Sequence, residues 1–333
     1  MQDKASAPSS ASRKIRRLGV AVVLVVALYS AGWFFVASKI EAELDTRVAN
    51  PASLGLSELI CDNRTVEGFP FLIGATCARS GLTTKDGLSA SAGAARLAAR
   101  IYAPTSAIAE VDSPGVVTGP DGSTVQATWK MLRAGVSAGL DGLTSLSLTG
   151  SDIKSGLRLA QLPVDLDVGA EEGQAHLRRV DRNLELAFLA RKLTASSETG
   201  EVLLPEISTS LEARLDDQAD VLAGKPLRLR ATSGTITSLK IETGAGLFGE
   251  LSGDFDIDED GYLNGKFRTK LDDIDGWKTQ LSAIFPDAGD SISAVAALLK
   301  GLAKGKEDIK VTLRVDRGHI SLSMIPLGRI PPL

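Results

Sequence analysis

The sequence predicts a mainly β (α+β) fold, in which an N-terminal transmembrane helix leads into a long meandering antiparallel sheet, rolled or sandwiched, with a C-terminal helical hairpin. Three observations carry that prediction. Twenty consecutive residues near the start have no charge, apolar and polar residues alternate strictly through much of the remainder, and one late segment repeats its apolar residues at helical spacing. The chain of 333 residues, 44% hydrophobic and 23% charged, has the composition of a folded protein rather than a disordered one.

The uncharged run is Leu18 to Ala37. At about 1.5 Å per residue its twenty residues match the ~30 Å of hydrocarbon in a bilayer, where every backbone polar group must be satisfied internally and a helix is required. Lys4, Arg13, Lys14, Arg16 and Arg17 precede it, whereas Lys39 is soon outnumbered by Glu41, Glu43 and Asp45. Positive charge stays inside, so a single-pass anchor is expected, with a cytoplasmic tail over 1–17, a span over 18–37 and the bulk exported from the cytoplasm. Trp33, Phe34 and Phe35 lie at the outer end, where aromatic rings favour the interface. A cleaved signal peptide shares the basic and apolar order, and Val36-Ala37-Ser38 offers small residues near a cut. The apolar run is longer than the usual ~7–15-residue signal core, which favours retention. Export is expected either way. Without the five bases and one acid of the tail, 32 bases face 40 acids, and that negative balance disfavours nucleic acid as a partner.

Beyond the span, Trp33, Ile40, Leu44 and Val48 continue a helical stripe that Asn50-Pro51 should stop, which reads as a stalk over 38–52. Cys61 and Cys77 are the two cysteines, and in an exported protein they are expected to form a disulfide across a short β segment. A redox or metal pair is the alternative; no C-x-x-C spacing lowers a thiol pKa, and only two histidines could add ligands.

A β-rich domain is expected over 53–333. Leu146 and Leu148 alternate with Ser145, Ser147 and Thr149, and Ile207, Leu211, Ala213 and Leu215 with Ser208, Ser210, Glu212 and Arg214. Leu227 and Leu229 alternate with Arg228 and Arg230, and Val311, Leu313 and Val315 with Lys310, Thr312 and Arg314. Such alternation marks strands with one apolar face. Asp121-Gly122, Asp141-Gly142, Asp260-Gly261 and Arg317-Gly318 supply turns between strands. The helical hairpin, at about 274–304, rests on Ile274, Trp277, Leu281, Ile284 and Phe285, a break at Pro286, and then Ile292, Val295, Leu298, Leu299 and Leu302. Its apolar stripes are expected to cover one end of the sheet.

Three motifs resemble chemical sites. Gly135-Val136-Ser137-Ala138-Gly139 fits G-x-S-x-G, but a nucleophile elbow needs a strand-to-helix turn and a histidine base, and the next residues are strand-like; His176 and His319 sit among alternating residues. Gly244 to Gly249 fits G-x-G-x-x-G without the helix that would present pyrophosphate, so a hairpin loop explains it better. Asp256, Asp258 and Asp260, with Gly261 and Asn264 after them, open like a calcium loop, yet the twelfth position, which should be a bidentate glutamate, is Phe267. A solvated turn is the simpler reading. No cofactor, no catalytic residue and no enzyme activity is expected.

The basic tail and span, the Cys61 segment leading to Gly68-Phe69-Pro70-Phe71 and Cys77, Trp129-Lys130, and the ending Ile325-Pro326-Leu327-Gly328-Arg329-Ile330-Pro331-Pro332 together resemble the domain of unknown function 2125 family. That resemblance covers most of the chain and implies a membrane-anchored periplasmic protein, mainly alphaproteobacterial, without an accepted activity. The helix entering a meander, the Asp260-Gly261 to Gly265 hairpin and the amphipathic helices after it also resemble AsmA-like envelope proteins, which implies a rolled sheet whose inner face carries lipid acyl chains. An apolar sheet face must pack on another sheet, roll on itself or hold an apolar ligand. Lipid binding or transport in envelope maintenance is the first expectation, with inward aliphatics Leu146, Leu148, Leu227, Leu229, Val311 and Leu313 as the contact residues. A non-enzymatic interaction module with a dry packed core is the alternative.

Overall fold

The computed structural model describes residues 10–140, 142–161, 164–303 and 308–333. The first nine residues of the expected tail, Asp141 of one expected turn and Lys304 at the end of the expected hairpin lie outside the described residues. The uncharged run forms the middle of one helix, α1 (Ser10–Ala49), with no break between 18–37 and the stalk stretch beyond it. It is the one described helix long and apolar enough to cross a membrane. Side chains from Leu18 to Leu28 stand exposed, whereas Trp33 and Ala37 are buried against the rest of the molecule and Ile40, Leu44 and Val48 continue that side. Pro51 then opens a 3-10 turn, Pro51–Leu54, closed by Gly55 at φ +76°.

The remainder of the chain is mostly strand: β1 (Leu56–Asp62), β2 (Thr65–Glu67), β3 (Leu72–Cys77), β4 (Arg79–Thr84), β5 (Ser89–Ala92), β6 (Ala95–Arg100), β7 (Ala103–Val111), β8 (Gly115–Thr118), β9 (Thr124–Thr128) and β10 (Met131–Gly139). The longer strands are β11 (Gly142–Arg158), β12 (Leu166–Val180), β13 (Asn183–Ser197), β14 (Val202–Leu215), β15 (Thr232–Thr243), β16 (Phe248–Ile257) and β17 (Leu263–Leu271). Helices α2 (Ile274–Ile284) and α3 (Gly289–Ala303) come next, and β18 (Ile309–Asp316), β19 (His319–Leu322) and β20 (Ile325–Arg329) end the chain. All strands belong to one antiparallel sheet, and from β10 to β18 each strand pairs with the next in sequence. The helical hairpin is as expected: Asp273 caps α2 by accepting from Gly276 N at 3.0 Å, Pro286 begins a 3-10 link, and Lys300 on α3 pairs with Asp275 on α2.

The sheet forks at β11. Its first part pairs with β10, leading on to β7, β6, β3 and β2; its last part, Lys154–Arg158, pairs with β9, leading on to β8, β5, β4 and β1. The two arms meet along a crease that β11, β12 and β13 cross whole. Apolar alternation slips there by one residue. On β11, Leu146, Leu148 and Gly150 give way to Ile153 and Leu157, past Asp152 at φ +49°. On β13, Ala190 gives way to Leu193, past Lys192, also at φ +49°. Ile153 leans back over the glycines on the apolar side: a Cβ at Gly150 would lie 2.8 Å from its Cδ1. The slip leaves charged doublets outside, and Glu172 pairs with Arg191 at 3.3 Å and Glu171 with Lys192 at 2.6 Å. A left-handed residue of this kind bends a strand and re-aims its side chains, so both arms keep their apolar sides toward the same interior.

Trp129 fills the crotch of the fork, where the chain passes from β9 to β10. Its Nε1 donates to Val111 O at 2.7 Å, and its ring lies where a Cβ on Gly115 would be, 2.5 Å away. The disulfide joins Cys61 on β1 to Cys77 on β3, with Cα atoms 4.9 Å apart, and so ties the outer strands of the two arms.

One expected strand is absent. Leu227 and Leu229 lie in an irregular, exposed segment between the 3-10 turn Ala219–Ala223 and β15. Pro226 has no N–H to give a ladder, Arg228 N donates instead to the Gln218 side chain, and Arg228 O accepts from Thr232 Oγ1. Side-chain bonds have replaced strand pairing, and Leu-Arg alternation there marks no sheet face.

Candidate functional site

Strand register brings the apolar residues of distant strands into line. Directly opposed partners run Ile73, Ala99, Ala107, Val136, Leu146, Leu177, Leu186, Ala213, Ile236, Gly253, Phe267, Leu313 and Leu322. Two residues along each strand, or three on β15 where the register shifts, a second row runs Ala75, Leu97, Ala109, Ala134, Leu148, Ala175, Phe188, Leu211, Leu239, Leu251, Thr269 and Val311. Thr269 is the one hydroxyl in either row. The twelve strand-to-strand steps of the first row, at about 4.8 Å each, make an apolar lane roughly 58 Å long, near twice the ~30 Å of a bilayer's hydrocarbon. The opposite face is polar: Ser145, Arg178, Glu185, Arg214, Thr235, Asp254, Lys266 and Arg314 form the neighbouring row.

Part of this lane has no described residue over it. Leu148 is 46% exposed and Phe188 43%, and among the described residues no large side chain is fully buried. The accessible surface is 21209 Å² for a 34.9 kDa chain, against about 13000 Å² for a compact monomer of that mass. The protruding helix and the exposed residues of the sheet both add to that excess.

The lane is closed in two places. The turn Ala219–Ala223 packs against β11, β12 and β13 beside buried Leu184, Ala219 and Leu222. Farther along, α2 and α3 lie over β15 to β18, where Ile274, Ala296, Leu299, Ala303, Ile309 and Leu322 form the core and Val311 and Leu313 pack against it. A cavity of about 480 Å³ remains between hairpin and sheet, lined by Leu239, Ile241, Leu251, Leu271, Trp277 and Val295 among others, within the ~300–1000 Å³ range of ligand pockets. Trp277 Nε1 and Thr269 Oγ1, on two of its lining residues, are buried without a partner among the described residues. A buried indole N–H calls for an acceptor.

Of the six aliphatic candidates, Leu146 and Leu313 share the first row and Leu148 and Val311 the second. Leu146 and Leu148 lie open, Val311 and Leu313 lie under the hairpin, and Leu227 and Leu229 are off the sheet. Sequence reasoning missed Phe188, which stands mid-lane between Ala175 and Leu211. Small Ala175 across from it on β12 was the signal, readable only once the pairing is known.

The motif residues are engaged locally. Asp258 accepts from Tyr262 N at 2.9 Å, Asp260 meets Arg317 at 3.0 Å and Asp256 accepts from Asn264 at 3.1 Å, so the three carboxylates hold a hairpin whose Gly261 has φ +91°. Among the described residues, no three acids, cysteines or histidines converge as metal ligands. Ser137 lies within β10 with its Oγ 3.1 Å from Ser106 Oγ, and His176 meets Gln174 at 3.2 Å. Gly244 to Gly249 turn β15 into β16.

No curated protein and no solved structure matches this chain. A family model described as "Uncharacterized protein conserved in bacteria (DUF2125)" matches residues 33–331, from Trp33 within the apolar helix to the closing prolines. The chain therefore belongs to the DUF2125 family of bacterial proteins.

Proposed function

We propose that this protein is anchored in the bacterial inner membrane by α1, with its body in the periplasm, and that the apolar lane binds lipid acyl chains in lipid transport or envelope maintenance without catalysing a reaction. The continuous, partly open lane carries the reading, because apolar side chains such as Leu146, Leu148 and Phe188 left exposed along one face are otherwise a liability for a soluble sheet. Supporting it are the basic residues before the helix, the disulfide, which fits an oxidising compartment, and a lining of Leu, Val and Ala that leaves room above it. The likeness to AsmA-like envelope proteins adds a fold-level analogy.

A photo-crosslinking residue at Leu148 or Phe188 in intact cells should form lipid adducts, while the same residue at Ser147 or Ala187 on the polar face should not. Equal labelling from both faces, or none from the lane, removes the reading. One observation favours the alternative interaction module: the hairpin gives the far end of the lane a protein-covered core over Val311 and Leu313. A stoichiometric protein adduct at Leu148 in place of lipid would establish that alternative.

A further inference from the structure

The geometry points to a membrane-inserted wedge: the Gly68-Phe69-Pro70-Phe71-Leu72 loop dips into the outer half of the bilayer beside α1, so that the mouth of the apolar lane opens among lipid tails. This rests on α1 spanning a membrane but not on what fills the lane.

Three observations carry it. The loop docks on the apolar part of α1 rather than on the charged part beyond it: the Phe69 ring lies 5.5 Å edge-on from Trp33 and stacks 5.7 Å from Phe34. Lys39 is the first charge after the span. Trp33 and Tyr29 lie six and ten residues before it, about 9 and 15 Å down the helix axis, against a hydrocarbon half-thickness of about 15 Å.

Four of the loop's carbonyls and one of its N–H groups are also satisfied within the protein, as lipid demands. Tyr29 Oη donates to Pro70 O, and Trp33 Nε1 donates to Leu72 O at 2.9 Å. Leu72 N donates to Gly68 O at 2.9 Å and Ile101 N to Phe71 O at 3.1 Å. Two helix side chains that would need acceptors inside a bilayer thus meet two loop carbonyls that would need donors.

Finally, the tip is apolar and open. Phe71 is 68% exposed, and Tyr102 on the adjoining β6–β7 turn stands out beside it. Ile73, the next residue along β3, is the first of the lane's leading row. A lipid tail leaving the membrane at this point would meet that row without crossing water.

The test uses the full chain with Cys61 and Cys77 oxidised, carrying Phe71→Cys labelled with an environment-sensitive fluorophore, in vesicles of phosphatidylethanolamine and phosphatidylglycerol with brominated acyl chains. Most of the emission at position 71 should be quenched and its maximum shifted to the blue, while the same label at Met324→Cys keeps its emission. Tyr102→Cys supplies the same readout should the first variant misfold. Unquenched emission at both tip positions overturns the wedge. Quenching at the tip in a protein whose Leu148 forms no lipid adduct would keep the wedge and remove the lipid-binding reading, so the two fail separately.

Discussion

The middle of the lane and its far end are the same face of the same sheet, built from the same residue types, and they differ in what lies above them. In the middle of the lane Leu146, Leu148 and Phe188 are 37%, 46% and 43% exposed, whereas under α2 and α3 Ile309 is 3% exposed and Leu299 7%. Alternation selects a face for burial; the connections between strands decide whether protein supplies the burial. Where β17 leads into two amphipathic helices before β18, the face is packed. Over β11 to β13 the described cover is the single turn Ala219–Ala223, which leaves Leu146, Leu148 and Phe188 exposed.

This contrast can be broken most directly by truncation. Leu299→Ala should destabilise the protein by about 2–4 kcal/mol in urea unfolding, because it empties a packed site, whereas Phe188→Ala should change stability by less than about 1 kcal/mol. Equal losses would mean that the middle of the lane is as packed as its end. Replacing both Cys61 and Cys77 by serine should remove about 3 kcal/mol in the chain-entropy model for a separation of 16 residues. Hydrogen exchange should then quicken in β1 to β4, beside α1, and stay unchanged in β17 and β18.

A charge in the lane sharpens the comparison by function rather than stability. Leu148→Glu should abolish lipid adducts at Phe188 with little change in Tm, whereas Ser147→Glu, one residue away on the polar face, should leave them intact. The smallest effect belongs to the crease. The Lys192 ammonium bonded to Glu171 holds that carboxyl below its usual range. Whatever stability the pair adds is therefore complete above the ordinary carboxylate value and is lost as pH falls through the lowered one. Both groups are solvated, so Glu171→Gln should shift Tm only slightly at neutral pH, and salt should erase the difference.

The sequence made the elements legible where the signal is local. The uncharged run, the disulfide pair, the strand alternation and the helical hairpin all depend on residues near one another in the chain. Leu146, Leu148, Val311 and Leu313 could be placed on apolar faces for the same reason. Leu227 and Leu229 show how alternation misleads: Pro226 and the Gln218 side chain had already diverted the backbone from pairing. The crease was written in the doublets Ser151-Asp152, Glu171-Glu172 and Arg191-Lys192. Each looks like an ordinary polar pair until the register shows that they fall side by side. The lane itself is a long-range property, since no strand holds more than a few of its residues.

From β10 onward the sheet grows by adding each strand to the one just made, with neighbours in sequence serving as neighbours in space. An extra hairpin could therefore enter or leave the series without disturbing any other pairing, provided its alternation stays in phase, and each would change the reach of the molecule by about 10 Å. Relatives of this chain should accordingly differ in size by whole hairpins rather than by single strands, and the length of the apolar lane in each one would be set by how many it carries.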